Sequence, residues 1–291
     1  MITKLSKTSA ETLDYIAEFV FTNKPFLNQS FPLCDSKTSL REALMRSGDR
    51  WTVLISDQPI ALLAMRTVGA TAIVERFCPA TPDVIPATTS ALREYLSRLK
   101  AAELEMKVSE DLAESFAKNG FEKRSALLRL TANVVETKTM PILPLSNPTG
   151  KDIPALANLM LESYAKSNEK RSSEPAEAER ELREIMTEAR GPFLPDSSFI
   201  SKAADKIVSA CFLTLTESVT GDIIELFTHP LYRARGLATT EIALSMNRLL
   251  KRKIPTLSVW LSESNDVAKR LFSKLNFKED SRLRQVAMRI Q

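Results

Sequence analysis

The residues best suited to chemistry lie in the C-terminal half, in the stretch IIELFTHPLYRARGLATT of residues 223–240. A strand-like run leads into a turn at Pro230, and a helical pattern begins near Leu237. The first N–H groups of a helix have no partner within it and carry the positive end of its dipole, so a loop that leads into them can bind a diphosphate. Gly236 permits a close backbone approach. The same pattern also fits an ordinary basic surface loop.

Side chains in and after this loop favour the diphosphate interpretation. Arg233 and Arg235 supply charge-assisted hydrogen-bond donors, and the small Ala238 leaves room at the start of the helix. Further along, Asn265 is placed as the N-cap of a short helical pattern, because asparagine accepts hydrogen bonds from free N–H groups there. That pattern ends in the turn Lys274-Leu-Asn-Phe277.

These segments resemble the acyl-CoA-binding motif of the GNAT N-acyltransferases, R/Q-x-x-G-x-G/A, which follows a strand and a V-x-P-x-Y turn. Residues 228–238 match this motif closely. Downstream, the asparagine and the aromatic residue of the family correspond to Asn265 and Phe272. The resemblance covers residues 195–291 well and residues 140–195 loosely.

The resemblance implies acetyl-CoA as co-substrate, held mainly by backbone groups. N–H groups of residues 235–238 would bind the diphosphate, and Leu226 and Thr228 would pair with the pantetheine arm as an added strand does. An N–H group of this strand would polarise the thioester carbonyl. The expected cofactor contacts are Leu226, Phe227, Thr228, Arg233, Ala234, Arg235, Gly236, Leu237, Ala238, Thr239, Asn265 and Phe272.

Two positions depart from the family pattern. The family often has a tyrosine at the position of Phe272 and uses it to protonate the departing thiolate, which phenylalanine cannot do. The resemblance therefore leaves the general acid open. Asn276 stands where the family has a glycine, and asparagine tolerates the left-handed backbone that such a turn requires.

Two carboxylates on the strand before the loop are candidates for the general base, since some members of the family carry a glutamate base there. Strand alternation puts Asp222 and Glu225 on opposite faces, and a local bulge would change which of them faces the cleft. We predict that Glu225 is the base, because its apolar neighbours disfavour its charged form. Asp222 is the second candidate. The single histidine, His229, is predicted to be a turn residue rather than a base.

The elements around these residues predict a mixed α+β fold that occurs twice. The segments Phe116-Ala-Lys-Asn-Gly-Phe121 and Phe272-Ser-Lys-Leu-Asn-Phe277 each follow a helical pattern and precede a strand-like run. Ala87-Thr-Thr and Ala238-Thr-Thr form a second echo in the same order. We predict tandem GNAT folds, each a twisted, mostly antiparallel sheet flanked by helices. Chance similarity of short segments is the alternative.

The two halves are predicted to differ in ligand binding. Three prolines in residues 141–148 indicate a boundary near residue 138, which gives a degenerate domain at 1–138 and an acetyltransferase domain at 139–291. In the first half, residues 77–86 stand where the second half has its loop. They contain no glycine, no arginine and three prolines, so no cofactor cradle is expected there.

Composition excludes several other classes. The 291 residues are 44% hydrophobic and 26% charged, as is usual for globular proteins. The sequence contains no run of about 18 apolar residues, which a membrane-spanning helix would need. The N-terminus has no apolar signal core, so we expect a cytoplasmic protein. Cys34, Cys78 and Cys211 lie far apart, which argues against a disulfide framework and against a metal site. The net charge of +4 is spread along the chain, so no nucleic-acid surface is expected.

The function predicted from these patterns is transfer of an acetyl group from acetyl-CoA to a primary amine by direct attack. The acceptor is a small-molecule or peptide amine, and the protein is a monomer or a homodimer. A non-catalytic acyl-CoA-binding or scaffold protein is the alternative, which the missing tyrosine and the degenerate first half favour. The charged segment 164–195 is a candidate for the acceptor side, or else a solvated amphipathic helix.

Overall fold

The computed structural model describes residues 2–22, 36–46, 51–165, 174–187, 192–216 and 219–290. Cys34 and parts of the charged segment 164–195 lie outside these ranges. Contacts between Cα atoms divide the chain into two units, one of Met1–Leu127 with Arg282–Gln291 and one of Leu128–Ser281. The chain thus passes from one unit to the other twice, after Leu127 and after Ser281, whereas the sequence predicts one boundary near residue 138. Among the helices of the described ranges, none combines the length and the apolar character that a membrane span requires.

The first unit is a mixed sheet with helices on both faces. In chain order its elements are β1 (Ile2–Lys4), α1 (Ala10–Thr22), α2 (Lys37–Arg46), β2 (Trp51–Ile55), β3 (Pro59–Val68), β4 (Thr71–Pro79), α3 (Ile85–Arg98), β5 (Glu103–Ser109), α4 (Glu110–Lys118) and the start of β6 (Glu122–Asn133). Helices α3 and α4 contribute to one apolar cluster, and α1 and α2 to another. The described strands pair antiparallel except β4 and β5, which are parallel.

The second unit repeats this plan. Its elements after β6 are β7 (Leu145–Ser146), α5 (Ile153–Tyr164), α6 (Pro175–Met186), β8 (Phe199–Ala203), β9 (Lys206–Thr216), β10 (Thr220–Thr228), α7 (Leu237–Lys251), β11 (Thr256–Ser262), α8 (Asp266–Lys274) and the start of β12 (Lys278–Arg289). The strand order is β6-β11-β10-β9-β8-β7, and β10 and β11 are parallel. Helices α7 and α8 pack in one apolar cluster, and α5 and α6 pack in another.

The predicted mixed α/β class is confirmed, but the place of the last strand differs from the prediction. The predicted domain at 139–291 would contain this strand. Instead, Leu283–Arg289 of β12 pair antiparallel with Ser109–Glu103 of β5, in the first unit. Periodicity predicts that a strand exists but not which edge it joins, because any edge offers the same free N–H and C=O groups.

The predicted echo between the halves is present in three dimensions. The N–H of Phe121 donates to the carbonyl of Phe116 at 3.2 Å. The N–H of Phe277 donates to the carbonyl of Phe272 at 3.0 Å. Their rings meet edge to face, with centroids 4.8 Å and 4.9 Å apart. In these turns Gly120 has φ +89° and Asn276 has φ +61°. Asn276 thus adopts the left-handed backbone that the sequence predicts for it.

Candidate active site

The centre of the site is a gap that opens where β10 leaves β11. The parallel pairing of these strands ends at Ile223 and Val259, while β10 continues to pair with β9 as far as Thr228. The N–H of His229 bonds to the carbonyl of Val208 at 2.9 Å. Because N–H groups along a strand alternate in direction, those of Thr228 and Leu226 point away from β9, into the gap. An extended ligand could therefore pair with this edge of β10.

The loop after β10 leads from this gap to the start of α7. Residues Pro230–Tyr232 form a single 3-10 turn, and Gly236 directly precedes the helix with φ +83°. Ala234 is also left-handed, with φ +58°, a conformation that costs free energy for any residue with a Cβ atom. Left-handed residues in such a loop turn successive N–H groups toward one point, where an anion can be held.

The two arginines of the loop have different surroundings. Arg233 donates from Nε to the carbonyl of Thr228 at 3.2 Å and from Nη2 to the carbonyl of Ser163 at 2.6 Å. These bonds fasten the loop to the end of α5. The guanidinium of Arg235 lies 5.1 Å from the ring centroid of Tyr232. Arg233 therefore positions the loop, and Arg235 is the better placed of the two to meet an anion.

The single histidine has the structural place that the sequence predicts. Nδ1 of His229 accepts a hydrogen bond from the N–H of Leu231 at 3.2 Å, which caps the turn. Its Nε2 lies 3.2 Å from Oε2 of Glu162 on α5. The prediction of a turn residue is confirmed.

A bulge decides how the two candidate carboxylates are presented. The register of β10 against β9 shifts between Ile223 and Glu225, so Ile224 is the extra residue. Ile224 and Phe227 pack in the cluster of α5 and α6, whereas Ile223 and Leu226 pack in the cluster of α7. Strict alternation is thus broken at the point where the gap opens.

Both carboxylates are consequently directed to the α5 side of the sheet. Glu225 is 2% exposed and accepts a hydrogen bond from the hydroxyl of Tyr164, at the end of α5, at 3.2 Å. Asp222 is 8% exposed and accepts one from Oγ of Ser258 at 2.6 Å. Ser258 lies between residues of β11 that pack toward α7, so it faces the opposite way. The expectation that the carboxylates lie on opposite faces is corrected by the bulge.

Two aromatic side chains on the α5 side of the sheet were not singled out by sequence reasoning. Tyr164 could have been noticed as a tyrosine at the end of a helical pattern, but nothing in the sequence pairs it with Glu225. Trp260 follows Ser258 by two positions on β11 and shares its face. Its Nε1 is buried, and within the described part of the chain it has no hydrogen-bond partner. Such a donor is suited to a ligand atom.

The remaining predicted contacts fall into two groups. Leu237, Ala238 and Thr239 form the first turn of α7, where N–H groups lack helical partners. Asn265 caps α8 by accepting a hydrogen bond from the N–H of Ala268 at 3.0 Å, as predicted. Phe272 is 2% exposed and belongs to the apolar core, so its side chain has a packing role.

A buried acid beside the loop was missed by the sequence reasoning. Glu241, in the second turn of α7, has no exposed surface. Its Oε1 lies 2.6 Å from Oγ of Ser201, and its Oε2 lies 2.9 Å from Oγ of Ser209. Burial raises the pKa of Glu241 to about 8, although the two serine hydroxyls lower it. Since this pKa is raised on folding, the folded protein binds more protons than the unfolded chain between about pH 4.5 and 8, and stability falls as the pH rises through that window.

In the first unit, the stretch that corresponds to β10 and its loop has the same strand geometry but different residues. Its β4 pairs in parallel with β5 over Thr71–Val74 and then has a bulge at Glu75. In this register Ile73 corresponds to Asp222, Arg76 to Glu225 and Pro79 to Thr228.

Three features explain why no cradle is expected there. Pro79 has no N–H to offer to an extended ligand. Pro86 removes another N–H from the first turn of α3. Between Pro79 and Pro86 the backbone has no left-handed residue. Residues 79–86 thus differ from the loop after β10 in the backbone features that would bind a diphosphate.

Comparisons with known proteins agree with this geometry. Residues 202–286 match the family model described as FR47-like protein. No curated protein matches the chain.

Solved structures show the fold over the whole chain. A tandem GNAT protein from the clavulanic acid biosynthesis pathway has a TM-score of 0.74 at 12% identity, and covers 100% of this chain and 98% of its own. A GCN5-related N-acetyltransferase from Sphaerobacter thermophilus has a TM-score of 0.69 at 14% identity. The match covers 100% of this chain and 96% of the Sphaerobacter chain. A putative acetyltransferase from Pyrococcus horikoshii has a TM-score of 0.57 at 11% identity, with coverage of 100% and 89%. The chain therefore has the tandem GNAT fold.

Proposed function

We propose that this chain, in which the GNAT fold occurs twice in tandem, transfers an acetyl group from acetyl-CoA to a primary amine, and that only its second unit binds the acetyl-CoA. One observation carries the proposal: β10 separates from β11 after Ile223 and leads into the left-handed loop at the start of α7. An extended chain ending in a diphosphate fits this combination of a free strand edge and a helix N-terminus.

The residues present fit the proposed co-substrate. N–H groups of residues 235–238 would hold the diphosphate, and Arg235 would add charge. Backbone groups of Leu226 and Thr228 would align the pantetheine arm. Bound there, acetyl-CoA supplies an acetyl group activated as a thioester. The N–H of Leu226, fixed by the pairing of β10 with β9, is the donor that we assign to the developing oxyanion.

Glu225 is proposed as the general base. It lies just beyond the point where β10 and β11 separate, and it is almost fully buried. The hydrogen bond from Tyr164 holds the carboxylate in place, so it can take a proton from the attacking amine directly or through a water molecule. Asp222, which Ser258 holds, is the second candidate for the base.

The α5 side of the sheet is proposed as the acceptor side. Two buried carboxylates favour a cationic amine there, and the indole of Trp260 offers a ring face and a donor. Either a small-molecule amine or a peptide amine meets these requirements. We further propose that the protein acts in the cytoplasm as a monomer or a homodimer.

The proposal is tested by release of free thiol from acetyl-CoA in the presence of a panel of primary amines. We expect turnover with at least one amine, and acetylation of that amine by mass spectrometry. The alternative of a non-catalytic acyl-CoA-binding protein is favoured by Phe272, which lies in the core and has no proton to donate. Binding of acetyl-CoA without turnover on any amine would support that alternative.

Tyr164→Phe tests whether the phenol assists Glu225. We expect kcat to fall about tenfold, the scale of one lost hydrogen bond to a charged group, while the Kd of acetyl-CoA stays the same. The pH–rate profile should also shift, because the phenol no longer holds the carboxylate. An unchanged kcat with an unchanged profile would remove Tyr164 from the mechanism.

A further inference from the structure

A continuous chain of hydrogen bonds connects Glu241 to the end of β10. Ser209 Oγ, which contacts Glu241, lies 2.9 Å from Oγ1 of Thr228. Thr228 is the last residue of β10, and its carbonyl accepts a hydrogen bond from Arg233 of the loop. The buried carboxyl is thus linked through one hydroxyl to the residue at which the strand edge meets the loop.

The charge of Glu241 determines which group donates each hydrogen bond in this chain. An ionised carboxylate has only acceptors, so Ser201 and Ser209 must both donate to it. Ser209 then has no second hydrogen, and Thr228 must donate its own to Ser209. A neutral Glu241 can instead donate from Oε2 to Ser209. Ser209 then donates to Thr228, whose hydrogen is left for another acceptor.

We propose that the neutral Glu241 carboxyl positions the Thr228 hydroxyl, through Ser209, as a hydrogen-bond donor to the anionic part of the bound acyl-CoA. This inference rests on the proposed function. Glu241 is a positioning residue, since it acts through two hydroxyls. Ionisation would commit the Thr228 hydrogen to Ser209, so that Thr228 could offer only its lone pairs to the ligand. It would also place a negative charge one turn from the helix start, and both changes weaken the binding of an anion.

The other groups around Glu241 do not supply this switch. Ser245 of α7 bonds to the backbone carbonyls of Ser197 and Glu241, so its hydroxyl is engaged elsewhere. Cys211 of β9 is a titratable group that interacts with Glu241. Burial and the charge of Glu241 raise the pKa of the Cys211 thiol well above its ordinary value, so the thiol stays neutral where Glu241 titrates.

The test is calorimetric titration of the full chain with acetyl-CoA at pH 7 and pH 9. Burial raises the pKa of Glu241 to about 8, so about a tenth of the chains keep the neutral form at pH 9. We expect the wild-type Kd to rise about tenfold between the two pH values. In Glu241→Gln, whose amide donates to Ser209 as the neutral acid does, the rise should be less than about twofold.

Proton uptake separates this role from a merely structural one. Binding favours the neutral acid, so wild-type protein at pH 8 should take up about half a proton, measured by titration in two buffers of different ionisation enthalpy. Glu241→Gln should take up almost none. Cys211→Ala is the matched control, because it removes the titratable neighbour of Glu241 and leaves Glu241 in place. This variant should keep the wild-type pH dependence of acetyl-CoA binding. Thr228→Val should bind acetyl-CoA several-fold more weakly at pH 7.

The outcomes distinguish failure of the inference from failure of the proposed function. Tight binding with no pH dependence in wild-type protein, an unchanged dependence in Glu241→Gln, or full affinity in Thr228→Val would overturn the inference and leave the proposed function intact. Lack of acetyl-CoA binding at both pH values would overturn both.

Discussion

Glu225→Gln is expected to lower kcat by roughly 10²–10⁴-fold and to leave the Kd of acetyl-CoA nearly unchanged, which is the usual scale for loss of a general base. Glutamine keeps the shape of the side chain and can still accept the hydrogen bond from Tyr164. The substitution therefore removes proton acceptance and little else. Steady-state thiol release with the amine found by the panel measures kcat, and calorimetry measures the Kd.

Asp222→Asn is the matched control for this change. It alters a second buried carboxylate on the same strand and the same face, and we expect a milder loss. Circular dichroism of both variants checks that the fold is kept. Full activity of Glu225→Gln across pH 6 to 9 would show that Glu225 is not the base. A greater loss in Asp222→Asn than in Glu225→Gln would transfer the role to Asp222.

Gly236→Glu is expected to weaken acetyl-CoA binding by on the order of 100-fold or more, about 2.7 kcal/mol. The added carboxylate would stand where the diphosphate meets the first N–H groups of α7, and like charges repel. A Cβ atom at this position would also lie 3.0 Å from Cδ1 of Ile142, and Gly236 has φ +83°. Calorimetric titration of the full chain measures the loss.

Two further variants separate charge from backbone strain. Gly69 has φ +58°, and a Cβ atom added there would meet no atom within 4 Å, so Gly69→Glu adds the same charge at another left-handed glycine, in the first unit. It should leave the affinity intact. Gly236→Ala adds the strain without the charge and should lose much less affinity than Gly236→Glu. Equal losses from Gly69→Glu and Gly236→Glu would mean that the loss at Gly236 does not come from a charge placed at the start of α7.

The parts of the site that are local in sequence could be predicted. The loop around Gly236, the helix that starts at Leu237, the Asn265 cap and the left-handed Asn276 each depend on a few neighbouring residues. Backbone sterics and capping chemistry restrict such segments strongly, so residue types alone indicate their conformation. The predicted start of α7, near Leu237, agrees with the structure.

The parts that depend on long-range packing could not be predicted. The bulge at Ile224 is set by the pairing of β10 with β9, and it moves Glu225 to the face of Asp222. Tyr164 meets Glu225 only because α5 packs on that face. The pairing of β12 with β5 depends on which sheet edge is free, which periodicity does not encode.

Glu241 shows a different limit. On a helix, a glutamate is normally interpreted as an exposed residue, since carboxylates are seldom buried. Its burial becomes understandable only when Ser201 and Ser209, from two other strands, are seen to bond to it. No spacing in the sequence connects these three positions.

The location of bound acetyl-CoA can be determined from a crystal structure of the full chain with this co-substrate. We expect one molecule per chain, with its diphosphate within hydrogen-bond distance of the N–H groups of residues 235–238 and its pantetheine arm along Leu226–Thr228. Acetyl-CoA bound at the start of α3, or bound away from the gap between β10 and β11, would contradict this expectation.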